Sequence, residues 1–126
     1  MASESEDQLA ESLAALDEVR SAVVWRHGGV PVTAHAGENL ASLDGRMLSA
    51  LVGGFENGVE DLGFGEVSQI WWQSSDVQCV GFRAGKWQVL VVADPGVSVS
   101  TLRTRVAETV EEFWGETDSM DGNGVD

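Results

Sequence analysis

The sequence predicts an α+β protein in which a mostly antiparallel sheet carries helices on its faces. Short β-branched segments occur in pairs separated by glycine-containing turns, which is the pattern of β-hairpins. Segments with an apolar residue every three or four positions flank and separate these pairs, which is the pattern of amphipathic helices. The resulting order is helix, strand, strand, helix, three strands, helix, and hairpins joined by helices favour an antiparallel sheet.

The first half of the chain contains one helix and one hairpin. A capping-box serine followed by leucines at helical spacing predicts a helix over about residues 5–18. Two strands follow, over residues 19–25 and 31–36. The segment His27-Gly28-Gly29 between them is a turn signal, because glycine tolerates positive φ.

The second half begins with the longest periodic segment of the chain. Apolar residues between 40 and 62 follow a 3.6-residue period, and Gly63 is placed to end this helix. Three strands follow, over residues 67–74, 77–84 and 87–93. A last helix begins after Ser98 or Ser100. We expect a disordered N-terminus over residues 1–4, one domain over 5–114 and an acidic flexible tail over 115–126.

Charge is distributed unevenly along the 126 residues. Seven basic side chains face 21 acidic ones, and the formal net charge is −14. Residues 1–18 hold six acids and residues 108–126 hold seven, whereas the stretch between them holds eight acids and all seven bases. The acidity argues against nucleic-acid binding, and no apolar run is long enough for membrane insertion. The acidic start is not a signal peptide, so we expect a cytoplasmic protein.

Enzyme and cofactor motifs are not found in the sequence. Gly85-Lys86-Trp87 lacks the upstream glycine and the hydroxyl residue of a phosphate-binding loop. The two histidines, His27 and His35, have no third ligand at a converging spacing. Cys79 lies on an internal strand and is expected in or near the core. We therefore expect no catalytic residues, no metal and no cofactor, and we do not expect an enzyme.

A stripe of small residues on the middle helix suggests contact with a second helix. Ala41, Gly45, Ser49 and Gly53 recur at four-residue spacing. Each glycine inside a helix costs about 0.5–1 kcal/mol relative to alanine, and a small-residue stripe lets another backbone approach closely. If the leucine face covers the sheet, the stripe is free to meet another chain. The alternative is a tolerated, slightly unstable helix.

The strand over residues 67–74 is a second candidate for chain association. It contains no lysine, proline or inward charge, which are the usual protections of a sheet edge. Trp71 and Trp72 point to opposite faces, so one of them needs a cover outside the core. Pairing with another chain would supply it. The alternative is an internal strand that is buried on both faces.

Together these features resemble the roadblock (dynein light-chain) domain family of the prokaryotic type, over about residues 5–114. The resemblance rests on the opening helix and three segments of sequence: Val19-Arg20-Ser21-Ala22-Val23-Val24, Gly28-Gly29-Val30-Pro31-Val32-Thr33-Ala34 and Leu90-Val91-Val92-Ala93-Asp94-Pro95. The turn departs from the family, because His27 stands before the glycines where an acidic residue is often seen. The five tryptophans have no counterpart in the family pattern.

The resemblance implies an α/β sandwich: a five-stranded antiparallel sheet with the middle helix on one face and the terminal helices on the other. It implies a homodimer through the third strands and middle helices, with these interface residues: Gly45, Ser49, Gly53, Gln69, Trp71 and Gln73. It also implies binding of a Ras-like small GTPase, as a scaffold or as a GTPase-activating regulator. The exposed candidates for that contact are Arg46, Glu56, Asn57 and Glu60. The alternative is a small-molecule sensor with a sizeable apolar pocket against the sheet.

Overall fold

The computed structural model describes residues 3–26, 29–35 and 44–125, with side chains over 6–26, 29–34 and 44–113. Eight elements follow one another in the predicted order. They are α1 (Ser3–Ala14), β1 (Val19–Arg26), β2 (Val32–His35), α2 (Gly45–Asp61), β3 (Gln69–Gln73), β4 (Gln78–Ala84), β5 (Trp87–Ala93) and α3 (Val99–Val125). The predicted turn residues His27 and Gly28, and residues 36–43 with Leu40 and Ala41, lie outside the described residues.

The five strands form one sheet in the order β2-β1-β5-β4-β3, and every neighbouring pair is antiparallel. This confirms the predicted fold class. Within the described residues, β3 pairs with β4 alone and is therefore an edge strand rather than an internal one. Trp71 lies opposite Val80 and Trp72 lies opposite Cys79, so the two tryptophans occupy different faces of the sheet.

Each face of the sheet has its own hydrophobic core. On one face, α1 and α3 pack through a set of buried apolar residues that includes Leu9, Leu13, Leu102 and Val106. On the other face, Val52 of α2 packs among strand residues, with Leu48 partly buried beside it. The middle helix and the terminal helices thus cover opposite faces, and this is the sandwich that the resemblance implied.

The ends of α2 follow from local capping. Asp44 is the N-cap, and its Oδ1 accepts hydrogen bonds from the backbone N–H groups of Arg46 at 3.0 Å and Met47 at 3.3 Å. At the other end, Gly63 has a φ of 80°, a left-handed conformation that favours glycine after a helix. The predicted stop at Gly63 is therefore confirmed, and the helix begins at Gly45 rather than near residue 40.

Several predicted boundaries shift in the structure. Helix α1 ends at Ala14 instead of residue 18, and β3 is shorter than residues 67–74. Helix α3 is continuous to Val125, whereas the sequence predicted a tail from Gly115. Residues 115–125 contain no proline, and isolated glycines weaken a helix without ending it. The flexibility of residues 115–126 stays a prediction.

Gly45 lies where α2 is close to the sheet. A Cβ placed there would be 2.5 Å from Thr33 Oγ1 and 3.5 Å from Val23 Cγ1. We expect Gly45→Ala to lower the free energy of unfolding by about 1–2 kcal/mol because the neighbours must shift. Urea denaturation measures the change.

Gly54 provides the matched control on the same helix. No atom lies within 4 Å of a Cβ placed there, so Gly54→Ala should stabilise the protein by about 0.5–1 kcal/mol through helix propensity alone. If the two substitutions changed stability in the same direction, the close approach at Gly45 would be wrong.

Candidate functional site

One side of α2 exposes large apolar side chains to solvent. Met47 is 68% exposed, Leu51 56% and Phe55 50%, and their four-residue spacing places them in a row along the helix. We call these three residues the apolar flank. Leu62 and Phe64 continue the exposed apolar surface along the chain from α2 toward β3. Exposed apolar side chains grouped in this way are typical of interaction surfaces.

The apolar flank corrects the argument drawn from the small-residue stripe. Gly45 faces Thr33 and Val23 of the sheet, and its predicted role in an interface stays a prediction. Ser49 donates from Oγ to the carbonyl of Arg46 in its own helix. The physical reason is geometric: the apolar residues cover half of the helix wheel, whereas contact with a sheet takes an arc of about 100°. Gly45 lets the sheet approach α2, and part of the leucine face stays exposed.

Gly53 lies outside the contact between α2 and the sheet. No described atom comes within 4 Å of a Cβ placed on it. At 100° per residue, Gly53 is on the opposite side of α2 from Leu51 when both are viewed from the buried Val52. The interface roles of Ser49 and Gly53 stay predictions, and the structure places them on a different side of the helix from the apolar flank.

The edge strand β3 presents an alternating surface. Gln69, Trp71 and Gln73 are exposed on the face that carries α1 and α3, whereas Ile70 and Trp72 are partly buried on the α2 face. Gln73 donates from Nε2 to the Pro95 carbonyl at 3.1 Å. Because the outer backbone groups of β3 have no partner strand within the described residues, this edge can pair with another chain.

A buried glutamine supports this edge from inside the fold. Gln78 is 2% exposed, and its Oε1 accepts from Trp71 Nε1 at 3.0 Å. Its Nε2 donates to the Asp94 carbonyl at 3.0 Å and to the Val97 carbonyl. One side chain thus joins the edge strand to the loop that precedes α3. No local sequence pattern points to Gln78, because its partners are distant along the chain or lie in a loop.

The predicted partner-binding residues divide into two groups. Arg46, Asn57 and Glu60 are exposed on the polar side of α2. Glu56 is different, because its Oε2 accepts from Gln88 Nε2 at 2.7 Å and lies 3.9 Å from an Arg83 nitrogen. The structure therefore leaves three of the four free for a partner and ties the fourth to the sheet.

The described residues form neither a reactive cysteine site nor a metal site. Cys79 is buried on β4, and burial raises the pKa of its thiol to about 12, which keeps it protonated. No group of three or more histidine, cysteine, aspartate or glutamate side chains in the described ranges could hold a metal ion. The side chains of His27 and His35 lie outside the described residues. None of the described helices is both long and apolar enough to span a membrane.

Sequence reasoning missed a buried carboxylate that joins α1 to the sheet. Glu6 is 4% exposed and accepts hydrogen bonds from Arg26 Nε and, at 3.0 Å, from Trp87 Nε1. Burial acts to raise the pKa of Glu6, but the hydrogen bonds from Arg26 and Trp87 and the charge of Arg26 outweigh it, and the net pKa is lowered. Arg26 and Trp87 are 20 and 81 positions away from Glu6, so no local sequence pattern predicts these contacts.

The lowered pKa of Glu6 makes a pH-dependent contribution to stability. A carboxyl whose pKa is lower in the folded state stabilises the fold above its unfolded pKa, and this stabilisation is lost as pH falls through the folded pKa. We expect Glu6→Gln to lower the free energy of unfolding by about 1–3 kcal/mol at pH 7. The difference from the wild type should shrink below about pH 4.

Urea denaturation across the pH range checks this expectation for Glu6. Glu11→Gln is the control, since Glu11 is exposed on the same helix, and its effect should be small at every pH. A loss for Glu6→Gln that stayed constant down to about pH 2 would contradict the role of the ionised carboxylate.

The space between Val52 of α2 and strands β3, β4 and β5 is almost filled. The cavity there measures about 10 Å³, which is room for a single water molecule, and Trp25 and Val52 are among the residues that line it. A sensor that held its ligand against the centre of the sheet would need a sizeable apolar pocket at this place. The structure does not support that form of the alternative.

The fold is similar to that of solved Roadblock/LC7 domains. The fold is similar to MglB from Myxococcus xanthus, with a TM-score of 0.73 and 14% identity over 94% of this chain and 91% of that one. It is also similar to a Roadblock/LC7 domain from Streptomyces avermitilis, with a TM-score of 0.67 and 16% identity over 88% of this chain and 96% of that one. The gliding protein MglB from Thermus thermophilus matches with a TM-score of 0.60 and 16% identity, over 90% of each chain.

Comparisons of sequence alone find no relative. No protein-family model matches the chain, and no curated protein matches it. The likeness is therefore one of fold.

Proposed function

We propose that the chain is a non-enzymatic cytoplasmic homodimer that binds a Ras-like small GTPase. The observation that carries the dimer is the apolar flank of α2, which exposes Met47, Leu51 and Phe55 although the rest of the helix face is packed on the sheet. Full burial of a side chain of this size contributes about 1.5–3 kcal/mol, so a second copy that covers the flank gains substantial free energy.

The edge of β3 supports the same dimer independently. An edge without lysine, proline or inward charge can continue its sheet into another chain by backbone hydrogen bonds. Leu62 and Phe64 lie on the segment between α2 and β3, so the exposed apolar surface runs from one proposed contact to the other. We infer that both elements belong to one isologous interface.

The proposal of a GTPase partner rests on the resemblance and on the polar side of α2. Arg46, Asn57 and Glu60 stay exposed when the apolar flank is covered, because they lie on the other side of the helix. Regulation would act by positioning the catalytic groups of the GTPase itself, since the exposed set contains a single arginine, Arg46. Scaffold and activator roles are both consistent with this surface.

Binding to a small GTPase from the same genome tests the partner. We expect the wild-type dimer to bind it and the double variant Arg46→Ala, Glu60→Ala to bind at least about tenfold more weakly while remaining dimeric. Titration calorimetry with the GDP-bound and GTP-analogue-bound forms measures affinity, and single-turnover GTP hydrolysis separates an activator from a scaffold.

Arg20→Ala is the matched control for this surface. Arg20 is also half-exposed, but it is on β1 and pairs with Asp94, so its removal should leave GTPase binding unchanged. Absence of binding in both nucleotide states would overturn the proposed partner. It would leave the proposed dimer untouched, because the dimer is tested separately by measuring its mass by light scattering.

A further inference from the structure

A second cleft opens on the polar side of α2, away from the apolar flank. It has a volume of about 510 Å³ and lies between the second half of α2 and the end of the sheet at the β4–β5 turn. Three basic residues line it: Arg26, Arg83 and Lys86. They are three of the seven bases in a chain of net charge −14, and the lining also contains the carboxylate of Glu56. We call it the cationic cleft.

The positive charge of the cleft is only partly balanced by its neighbours. Arg83 lies 3.9 Å from Glu56 and 4.0 Å from Glu66, which is the outer limit of an ion pair. Lys86 forms no ion pair within the described part of the chain, and its Nζ lies 5.5 Å from the centre of the Trp87 ring. Arg26 is paired with the buried Glu6, so Arg83 and Lys86 are the cations that are available to an incoming anion.

The wall of the cleft also contains a polar group without a partner. Gln88 donates from Nε2 to Glu56, but its buried Oε1 has no hydrogen-bond partner among the described residues. Trp25, itself 8% exposed, gives the wall an apolar part. Gly53 forms the α2 side, where the lack of a side chain keeps the cleft open. The wall thus combines cations, an amide and an apolar surface, which is the composition of a small-molecule site.

We propose that the cationic cleft binds a small organic oxyanion, a phosphomonoester or a carboxylate of nucleotide size. The basic residues bind the oxyanion, and the volume falls within the range of about 300–1,000 Å³ that is usual for such ligands. The site does not depend on the proposed GTPase partner, because residues of this chain alone line it, and Asn57 is common to the cleft and the proposed GTPase surface.

Titration calorimetry with defined probes at constant ionic strength tests this site. We expect AMP, ribose 5-phosphate or citrate to bind the wild-type protein, and we expect adenosine, which carries no charge, not to bind. Lys86→Gln and Arg83→Gln should each weaken binding by about fivefold to tenfold. Arg20→Gln removes a positive charge outside the cleft and should leave the affinity unchanged.

Two glycines of α2 supply a test that alters no charge. Gly53→Leu should fill the cleft and abolish binding of the probe, whereas Gly54→Leu adds the same side chain at a position that does not line the cleft. Glu56→Gln should tighten binding, because it removes a negative charge from the wall. Circular dichroism confirms that each variant is folded.

Three results would overturn the proposal. One is the absence of binding by every organic anion up to about 10 mM. Another is equal binding by the wild type and the Arg83→Gln, Lys86→Gln double variant. The third is inorganic phosphate binding as tightly as AMP, ribose 5-phosphate and citrate, which would leave a non-specific attraction for ions in place of an organic ligand site.

Discussion

Replacing Leu51 by glutamate is expected to convert the proposed dimer into a monomer. Leu51 is at the centre of the apolar flank and is 56% exposed in the single chain. In a two-fold dimer the substitution places two carboxylates in one apolar interface, and each unpaired buried charge costs several kcal/mol. We therefore expect the dissociation constant to rise at least about a thousandfold, which corresponds to about 4 kcal/mol. Light scattering after size-exclusion chromatography gives the mass directly.

Asn57→Glu is the matched control for Leu51→Glu. Asn57 is exposed on the polar side of the same helix, and the substitution introduces the same carboxylate. This variant should remain dimeric. If Asn57→Glu dissociated the dimer and Leu51→Glu did not, the interface would lie on the side of α2 that carries Gly53.

Replacing Gln78 by methionine is expected to lower the free energy of unfolding by about 2–4 kcal/mol. Methionine retains the length of the side chain but removes the hydrogen bonds to Trp71, Asp94 and Val97. Each buried carbonyl or N–H group that loses its partner costs about 1–3 kcal/mol, and relaxation and water entry recover part of the sum. Guanidinium denaturation measures the loss, and tryptophan fluorescence reports the change around Trp71.

Gln73→Met is the corresponding control on β3. Gln73 is exposed and makes one bond, from Nε2 to the Pro95 carbonyl, so its replacement should cost less than about 1 kcal/mol. A smaller loss for Gln78→Met than for Gln73→Met would contradict the assignment of Gln78 as the link between β3 and the loop before α3.

The order of elements could be predicted from the sequence because each element has a local signal. Hairpin turns, apolar periodicity and Gly63 after α2 are properties of neighbouring residues, and hairpins restrict the strands to antiparallel pairing. The boundaries of two helices differ from the prediction where the sequence pattern continues without a break. The leucine spacing of the first helix extends past Ala14, where the chain turns, and the acidic residues after Gly115 resemble a tail although α3 continues through them.

The orientation of α2 could not be predicted, because it depends on packing between distant parts of the chain. The apolar arc is wider than the contact with the sheet, so the sequence left open which of its residues would be covered. The orientation of α2 is set at position 45, where only a glycine fits against the neighbouring side chains of Thr33, Pro31 and Val23. With Gly45 against the sheet, Leu51 is turned outward, and the proposed interface moves from the small residues to the large ones.

The buried polar contacts had no sequence signal either. Glu6 has the pattern of a favourable acid in the first turn of a helix, and nothing local connects it to Trp87. Arg26, Arg83 and Lys86 are separated along the chain, and the sheet brings them to one cleft. Such sites arise from the registers of β1, β4 and β5, which composition alone does not determine.

Disulfide cross-linking of α2 tests the central claim most directly. The native Cys79 is buried at 2% exposure, so single cysteines at positions 51, 53 and 55 can be compared without removing it. Under mild oxidation, Leu51→Cys or Phe55→Cys should form a covalent dimer on a non-reducing gel. Gly53→Cys should form no covalent link and should migrate on that gel with the mass of a single chain. A covalent dimer from Gly53→Cys, with none from Leu51→Cys or Phe55→Cys, would contradict the apolar flank as the interface.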